Sequence, residues 1–165
     1  MANCTPEVNK ADPSLFGFHP LDEKLMDLRS EAISEIVIVQ PPEKEPGIHT
    51  YGFPKACTKM HEVLETQTSQ IKLTNACIGR RVREPEAFRL LKGHDARITG
   101  DFIALAVLLS NSRANIRFRF DGMHSSYTKW QPEQALYFSG AALISEDRQI
   151  NFCLAVYELE LNRKL

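Results

Sequence analysis

ANIRFRFDGMHSSYTKW, residues 114–130, is the stretch on which the fold reading turns. Ile116, Phe118 and Phe120 alternate with Arg117 and Arg119. A period of two puts apolar side chains on one face of a strand and charge on the other. Asp121-Gly122 follows, a dipeptide that accommodates the positive φ angles of a tight hairpin turn. Residues 123–130 then form the return strand. Gln134–Ser145 and Gln149–Leu161 are two more β segments, on either side of Glu146-Asp147-Arg148. The expectation is a four-stranded antiparallel meander over about residues 114–161.

The upstream half reads as mostly helical cover. Pro20 suits a first helical turn. Leu21, Leu25, Leu28 and Ala32 follow at the spacing of one helix face. Glu35-Ile-Val-Ile-Val39 switches to β-branched residues and predicts a buried strand, stopped by Pro41-Pro42. Residues 41–54 form a proline-rich loop. A second helix is expected over Lys55–Glu65, a strand over Gln70–Ile78 and a short helix over Pro85–Lys92. Phe102–Leu109 fits either a helix or a buried strand. The fold class expected is therefore α+β, with helices packed on a C-terminal four-stranded antiparallel sheet. Residues 1–20, with Pro6, Pro13 and Pro20, form a flexible or draped arm, docked in part through Leu15, Phe16 and Phe18. Residues 21–165 form one domain.

A chain of 165 residues, 43% hydrophobic and 25% charged, suits one globular domain with a real core. The longest apolar run, Phe102–Leu109, is far too short to span a bilayer, and the N-terminal residues lack the apolar stretch of a signal peptide. Cys4, Cys57, Cys77 and Cys153 lie far apart with no paired spacing. Together these predict a protein that is neither secreted nor transmembrane and that resides in a reducing intracellular compartment.

Charge is unevenly spread. Residues 1–70 carry 6 Lys/Arg against 11 Asp/Glu, residues 71–119 carry 10 against 4, and residues 120–165 carry 4 against 6. The basic middle comprises Arg80, Arg81, Arg83, Arg89, Lys92, Arg97, Arg113, Arg117 and Arg119. Arginine suits phosphate because its planar fork donates two parallel hydrogen bonds. With Tyr127 and Trp130 on the neighbouring strand, this strip predicts binding of a polyanion, either nucleic acid or an acidic membrane surface. The same charge could instead meet the chain's own acidic segments.

Tyr157, Leu159 and Leu161 continue an apolar face to the end of the last strand and predict contact with a second copy. Pro41–Pro46 could serve as an extended peptide ligand for another protein. A proline-bearing arm, a small α+β core and an apolar C-terminal sheet resemble viral matrix and other small assembly proteins. That resemblance implies self-association. The function expected is thus a non-enzymatic, self-associating, polyanion-binding protein with no catalytic residue, metal or cofactor.

Two alternatives come from other residues. His94-Asp95, with His61 upstream and Asp101 or Asp121 downstream, could serve a small metal-dependent hydrolase of the HD type. Cys57 and His61, four apart on a helix, could be two zinc ligands or a nucleophile and base, completed only by distant residues such as Cys77 and His49. The other alternative is an interaction domain whose basic middle binds an acidic partner. No P-loop and no GxGxxG is present.

Overall fold

A computed structural model describes residues 15–73, 75–120 and 124–161. Eleven strands and two α-helices are formed among them. In chain order these are β1 (Phe16–Pro20), α1 (Glu23–Ile36), β2 (Glu43–Glu45), β3 (Ile48–Gly52), α2 (Lys55–Glu65), a 3-10 turn at Thr68–Gln70, β4 (Ala76–Leu90), β5 (Asp95–Ile98), β6 (Phe102–Leu108), β7 (Ala114–Phe120), β8 (Ser125–Trp130), β9 (Gln134–Phe138), β10 (Ala141–Ser145) and β11 (Ile150–Leu161). The strands make two antiparallel sheets. One runs β1-β9-β6-β11-β4-β3-β2 and the other β5-β10-β7-β8.

From β4 to β11 the chain crosses from sheet to sheet at each step except the β7–β8 hairpin, so that β9-β6-β11-β4 faces β5-β10-β7-β8. This is a jelly roll, two sheets closed on one apolar interior. The interior is built from the inward residues of both sheets: Phe88, Leu90, Ala104, Ala106, Leu108, Leu136, Phe138, Phe152 and Val156 meet Ala114, Ile116, Phe118, Phe120, Trp130, Ala141 and Leu143. Trp130 is fully buried and donates its indole N–H to Gln134 O at 3.0 Å. On the outer face of the larger sheet, α1 and α2 cover Ala87, Val107, Ala135 and Cys153. Beyond them Ile71 packs on Ile103, Leu105, Ala155 and Tyr157.

The α+β expectation is therefore corrected. The four C-terminal segments do not form one meander. The β7–β8 hairpin forms as expected, with Ile116 opposite Thr128 and Phe118 opposite Ser126, but β9 and β11 cross to the other sheet. The Asp121-Gly122 turn lies outside the described residues. The apolar character of β9 and β11 on both faces comes from burial between the helices on one side and the smaller sheet on the other.

Local corrections have local causes. Residues 35–39 are not a buried strand: α1 runs to Ile36, and Val37 and Ile38 are 73% and 88% exposed. Residues 85–92 are not a helix. They belong to β4, whose fifteen residues slip three times against β11, between Leu154 and Leu159. Pro85 lies where the register shifts, a place that tolerates a residue with no N–H to give the ladder. Phe102–Leu108 is a central strand, and the 41–54 loop contains β2 and β3. The helix over Lys55–Glu65 forms as expected.

The end of the 1–20 segment is not a free arm. Residues 16–20 form β1 on the edge beside β9, with Phe16 opposite Phe138. Phe16 stacks on Phe118 at 4.6 Å between centroids and lies 6.3 Å from Phe120. It thus closes one end of the barrel with an aromatic ring. Residues 1–14 lie outside the described residues. No helix among the described residues is long and apolar enough to cross a membrane.

Phe16→Ala removes that closing ring and leaves a gap between the sheets. The expected cost is about 2 kcal/mol, below that of a fully buried phenylalanine because Phe16 is half-buried. It is read as a lower urea midpoint with unchanged slope.

Candidate functional site

The fold offers three places for a site: the barrel interior, the arginine-bearing surface and the clefts around the loops. The interior is apolar among the described residues. Its lining is aliphatic and aromatic, and the end closed by Phe16 also holds Phe118, Phe120 and Phe138. The β5–β6 and β9–β10 turns meet at that end, where Ser139 Oγ donates to Thr99 O at 3.5 Å. Glu86 is a buried carboxylate on β4. It accepts from Thr50 Oγ1 at 2.6 Å and pairs with Lys44 Nζ at 3.1 Å, which ties β2 and β3 to the barrel.

The five histidines are dispersed. His19 on β1 donates from Nε2 to Gln67 Oε1 at 2.8 Å, and Gln67 in turn donates to Asp22, the N-cap of α1. His49 is half-buried on β3, opposite Glu43 and Arg89. His61 is fully buried under α2. His94 packs against Gly47, whose φ of +83° and close approach leave no room for a Cβ. His124 stacks on Phe120. His61, His94 and Asp95 are not brought together: His61 lies between α2 and the larger sheet, and Asp95 on β5 pairs with Arg119 at 2.9 Å. Cys77 is exposed and Cys57 is buried, so the two do not share a site. Among the described residues no three His, Cys, Asp or Glu side chains form a metal-ligand set.

The basic middle is largely spent within the chain. Arg81 pairs with Glu65 at 3.0 Å, Arg80 with Glu158 at 3.3 Å, Arg83 with Glu86 at 3.6 Å, and Arg117 with Glu146 at 3.0 Å. Arg89 donates to Tyr51 Oη, and its guanidinium lies over the Tyr51 ring. Arg97 lies on β5, opposite Ala142 of β10, and Lys92 is exposed in the β4–β5 turn. The Arg117 guanidinium lies 5.8 Å from the Tyr127 ring centroid. Tyr157 belongs to the chain's own core: it is 2% exposed and donates its hydroxyl to Glu65 at 2.7 Å. Burial and the Glu65 charge push its pKa well above the ordinary tyrosine range. Leu159 packs beside it, and Leu161 is 46% exposed.

A cleft of about 440 Å³ lies at the barrel end away from Phe16. Met26 and Arg29 of α1 form one wall. Asn111 and Arg113 from the β6–β7 connection, and Gln131, Pro132 and Glu133 from the β8–β9 connection, form the rest. Arg29 is its fixed element. It is 3% exposed, and it donates from Nε to Leu108 O at 2.7 Å and from Nη2 to Ser110 O. Burial lowers its pKa, and the Glu133 charge opposes that shift. Of the lining residues, only Arg113 belongs to the basic strip read from sequence. The signal for Arg29 was nonetheless present: it sits four after Leu25 and three before Ala32, a lone cation on the apolar face of α1.

No protein-family model matches the chain, and no curated protein does. Solved structures match its fold. HygX from Streptomyces hygroscopicus, with nickel and 2-oxoglutarate bound, aligns over 95% of this chain and 87% of its own at a TM-score of 0.57 and 10% identity. A prolyl hydroxylase from Trichoplax adhaerens, in complex with a hypoxia inducible factor peptide, aligns over 96% and 94% at 0.56 and 8%. A Pseudomonas putida prolyl-4-hydroxylase aligns over 90% and 93% at 0.55 and 11%. These likenesses show a shared fold. They overturn the reading of the chain as a matrix-like, non-enzymatic RNA-binding assembly protein, which the engaged arginines also oppose.

Iron and 2-oxoglutarate chemistry requires two histidines and a carboxylate converging on one metal. All five histidines lie within the described residues, in the separate settings given above, and none belongs to such a set. The residues present do not fit the iron centre of the scaffold. Addition of Fe(II) or Ni(II) with 2-oxoglutarate is accordingly expected to leave the melting temperature unchanged. A stabilisation that requires both components, and that a single histidine variant abolishes, would overturn this.

A second expectation concerns His61. Full burial holds its pKa below the usual histidine value, against the opposing effect of the Leu105 and Cys57 carbonyls. The unfolded chain takes up a proton below about pH 6.5 that the folded chain refuses. Stability is therefore level above neutrality and falls as pH drops through about 6.5, by up to about 1.4 kcal/mol per pH unit. Urea titrations at pH 7.5 and 5.5 should show that loss, reduced in His61→Gln.

Proposed function

We propose that the chain is a ligand-binding protein that uses the jelly-roll scaffold of the oxygenases without their metal centre. Its working site is the cleft between α1 and the β6–β7 and β8–β9 connections. The observation that carries this reading is the arrangement of charge there. Arg29 and Arg113 supply cations, Glu133 supplies an anion, and Asn111 and Gln131 supply amides, around a space of about 440 Å³ with Met26 and Pro132 as apolar walls.

That volume lies in the range of small-molecule sites, which combine apolar contact with a few polar groups that fix orientation. Opposite charges in one cleft suit a zwitterion. An α-carboxylate accepts from the Arg113 guanidinium, an ammonium donates to the Glu133 carboxylate, and an aliphatic side chain lies on Met26 and Pro132. Arg29 is committed to two carbonyls and contributes field and shape. The ligand class is therefore a free amino acid or a short peptide terminus. The free thiols Cys57, Cys77 and Cys153 support placing the protein in a reducing compartment.

A thermal-shift screen of amino acids and dipeptides, followed by calorimetry, tests this reading. Stabilisation by at least one zwitterion is expected. Loss of a charge-assisted hydrogen bond costs about 1.5–3 kcal/mol, so Arg113→Ala and Glu133→Gln should each weaken binding by about ten- to a hundredfold. If no member of the panel binds at millimolar concentration, or if binding is indifferent to both substitutions, the cleft is not the site.

A further inference from the structure

The connection between β6 and β7, residues 109–113, supplies Asn111 and Arg113 to the cleft. Two arginines from separate elements take the carbonyls at its two ends. Arg29 of α1 donates to Leu108 O and Ser110 O. Arg148, in the turn between β10 and β11, donates from Nη2 to Ser112 O at 2.9 Å and to Arg113 O. The loop is thus tied to a helix at its start and to a turn at its end.

The turn that carries Arg148 is itself fixed. Glu146 N donates to Asn115 O at 2.9 Å, and Asn115 Nδ2 donates to Asp147 Oδ2 at 2.7 Å. Ser145 is fully buried, and its Oγ donates to Arg148 O. Arg148 Nε is buried and, among the described residues, is the one such side-chain nitrogen or oxygen with no hydrogen-bond partner. An unpaired buried donor costs free energy. A turn arginine free to swing would put that N–H into water. This one is held, because Nη2 gives one N–H to each of two consecutive carbonyls and a charged donor bonds more strongly than a neutral one.

Arg148 does not line the cleft. Its effect there runs through the backbone of Arg113. The Arg113 side chain is exposed, and a long exposed side chain loses freedom when it clasps a ligand. Fixing the backbone from which it springs removes part of that loss in advance. On the reading of the cleft as an amino-acid site, on which this rests, we propose that Arg148 is a positioning residue. It holds the Arg113 backbone so that the guanidinium meets a ligand carboxylate from one direction.

The first measurement needs no ligand. The Arg113–Ala114 bond is a trypsin site at the tied end of the loop, and cleavage of a folded chain follows how often the segment opens. Trypsin digestion of the native full chain, read by mass spectrometry, should cut after Arg113 at least about tenfold faster in Arg148→Ala than in wild type, the factor for losing one charge-assisted hydrogen bond. Arg148→Lys keeps the charge and can reach one carbonyl. It should fall between the two, and it carries the test should the alanine variant not fold. Unchanged cleavage after Arg113 overturns the proposal.

The second measurement is calorimetry with leucine and with leucinamide, which keeps the ammonium and lacks the carboxylate. Arg148→Ala should weaken leucine about two- to tenfold, the cost of ordering one arginine side chain on binding, and should leave leucinamide unchanged. In an Arg113→Ala background it should have no further effect on leucine. Equal losses for the two ligands, or losses that add to that of Arg113→Ala, mean that Arg148 supports the fold alone and overturn its positioning role. Failure of the cleft reading is distinct: it shows as absence of binding to the wild-type chain, before any variant is made.

Discussion

The larger sheet has to be covered on both faces, and the rest of the molecule follows from that. β6 and β11 lie at its centre, with Phe152 opposite Leu108 and Ala155 opposite Leu105. Their side chains are buried whichever way they point. One side needs the smaller sheet, which supplies Ile116, Phe118, Ala141 and Leu143. The other needs α1 and α2, which supply Leu25, Ala32, Cys57, Met60 and Leu64. An extended sheet covered on one side only would leave a row of large apolar side chains in water, at roughly 25 cal/mol for each Å² exposed. The helices lie in the first half of the sequence and the barrel strands mostly in the second, so this cover ties the chain's two halves into one cooperative body.

The sequence was legible where the period of the pattern was clean. β7 alternates strictly, and α2 repeats on one face over eleven residues; both were recovered from spacing alone. The reading failed where burial on both faces erased the period. Phe102–Leu108 and residues 141–144 are uniformly apolar, and nothing in such a run says which sheet it joins. It also failed where local preference disagreed with context. Glu35-Ile-Val-Ile-Val39 has the composition of a strand, but α1 is carried to Ile36 by the packing of Leu25, Leu28 and Ala32. Pro85 suggested a helix start, with Gly93 just past the end, and the register shifts of β4 that admit a proline depend on residues seventy positions away.

Candidate sites were legible in a different measure. Clustering of arginine was evident, but its partners were not. Glu65, Glu86, Asp95, Glu146 and Glu158 come from separate stretches, and only the folded topology sets them beside Arg81, Arg83, Arg119, Arg117 and Arg80. Such pairs are mostly half-exposed and contribute little individually. Their consequence is that a formal charge imbalance along the chain becomes a nearly balanced surface. The same distance in sequence hid the cleft, whose walls come from α1 and from two loops eighty and a hundred residues later.

Trp130 is the only tryptophan in the chain. Its ring is packed against Phe152 in the dry interior, and its N–H is held by Gln134 O, directly beside the loop that forms one wall of the cleft. Nature has thereby installed a single optical reporter at the junction of core and cleft. Its emission from the folded chain belongs to one environment, with no second fluorophore of its kind to deconvolute. Any rearrangement of the 131–133 loop is transmitted to that ring through one covalent neighbour and one hydrogen bond. The colour and quenching of its fluorescence therefore follow global unfolding and local events at the cleft in the same cuvette, without a label.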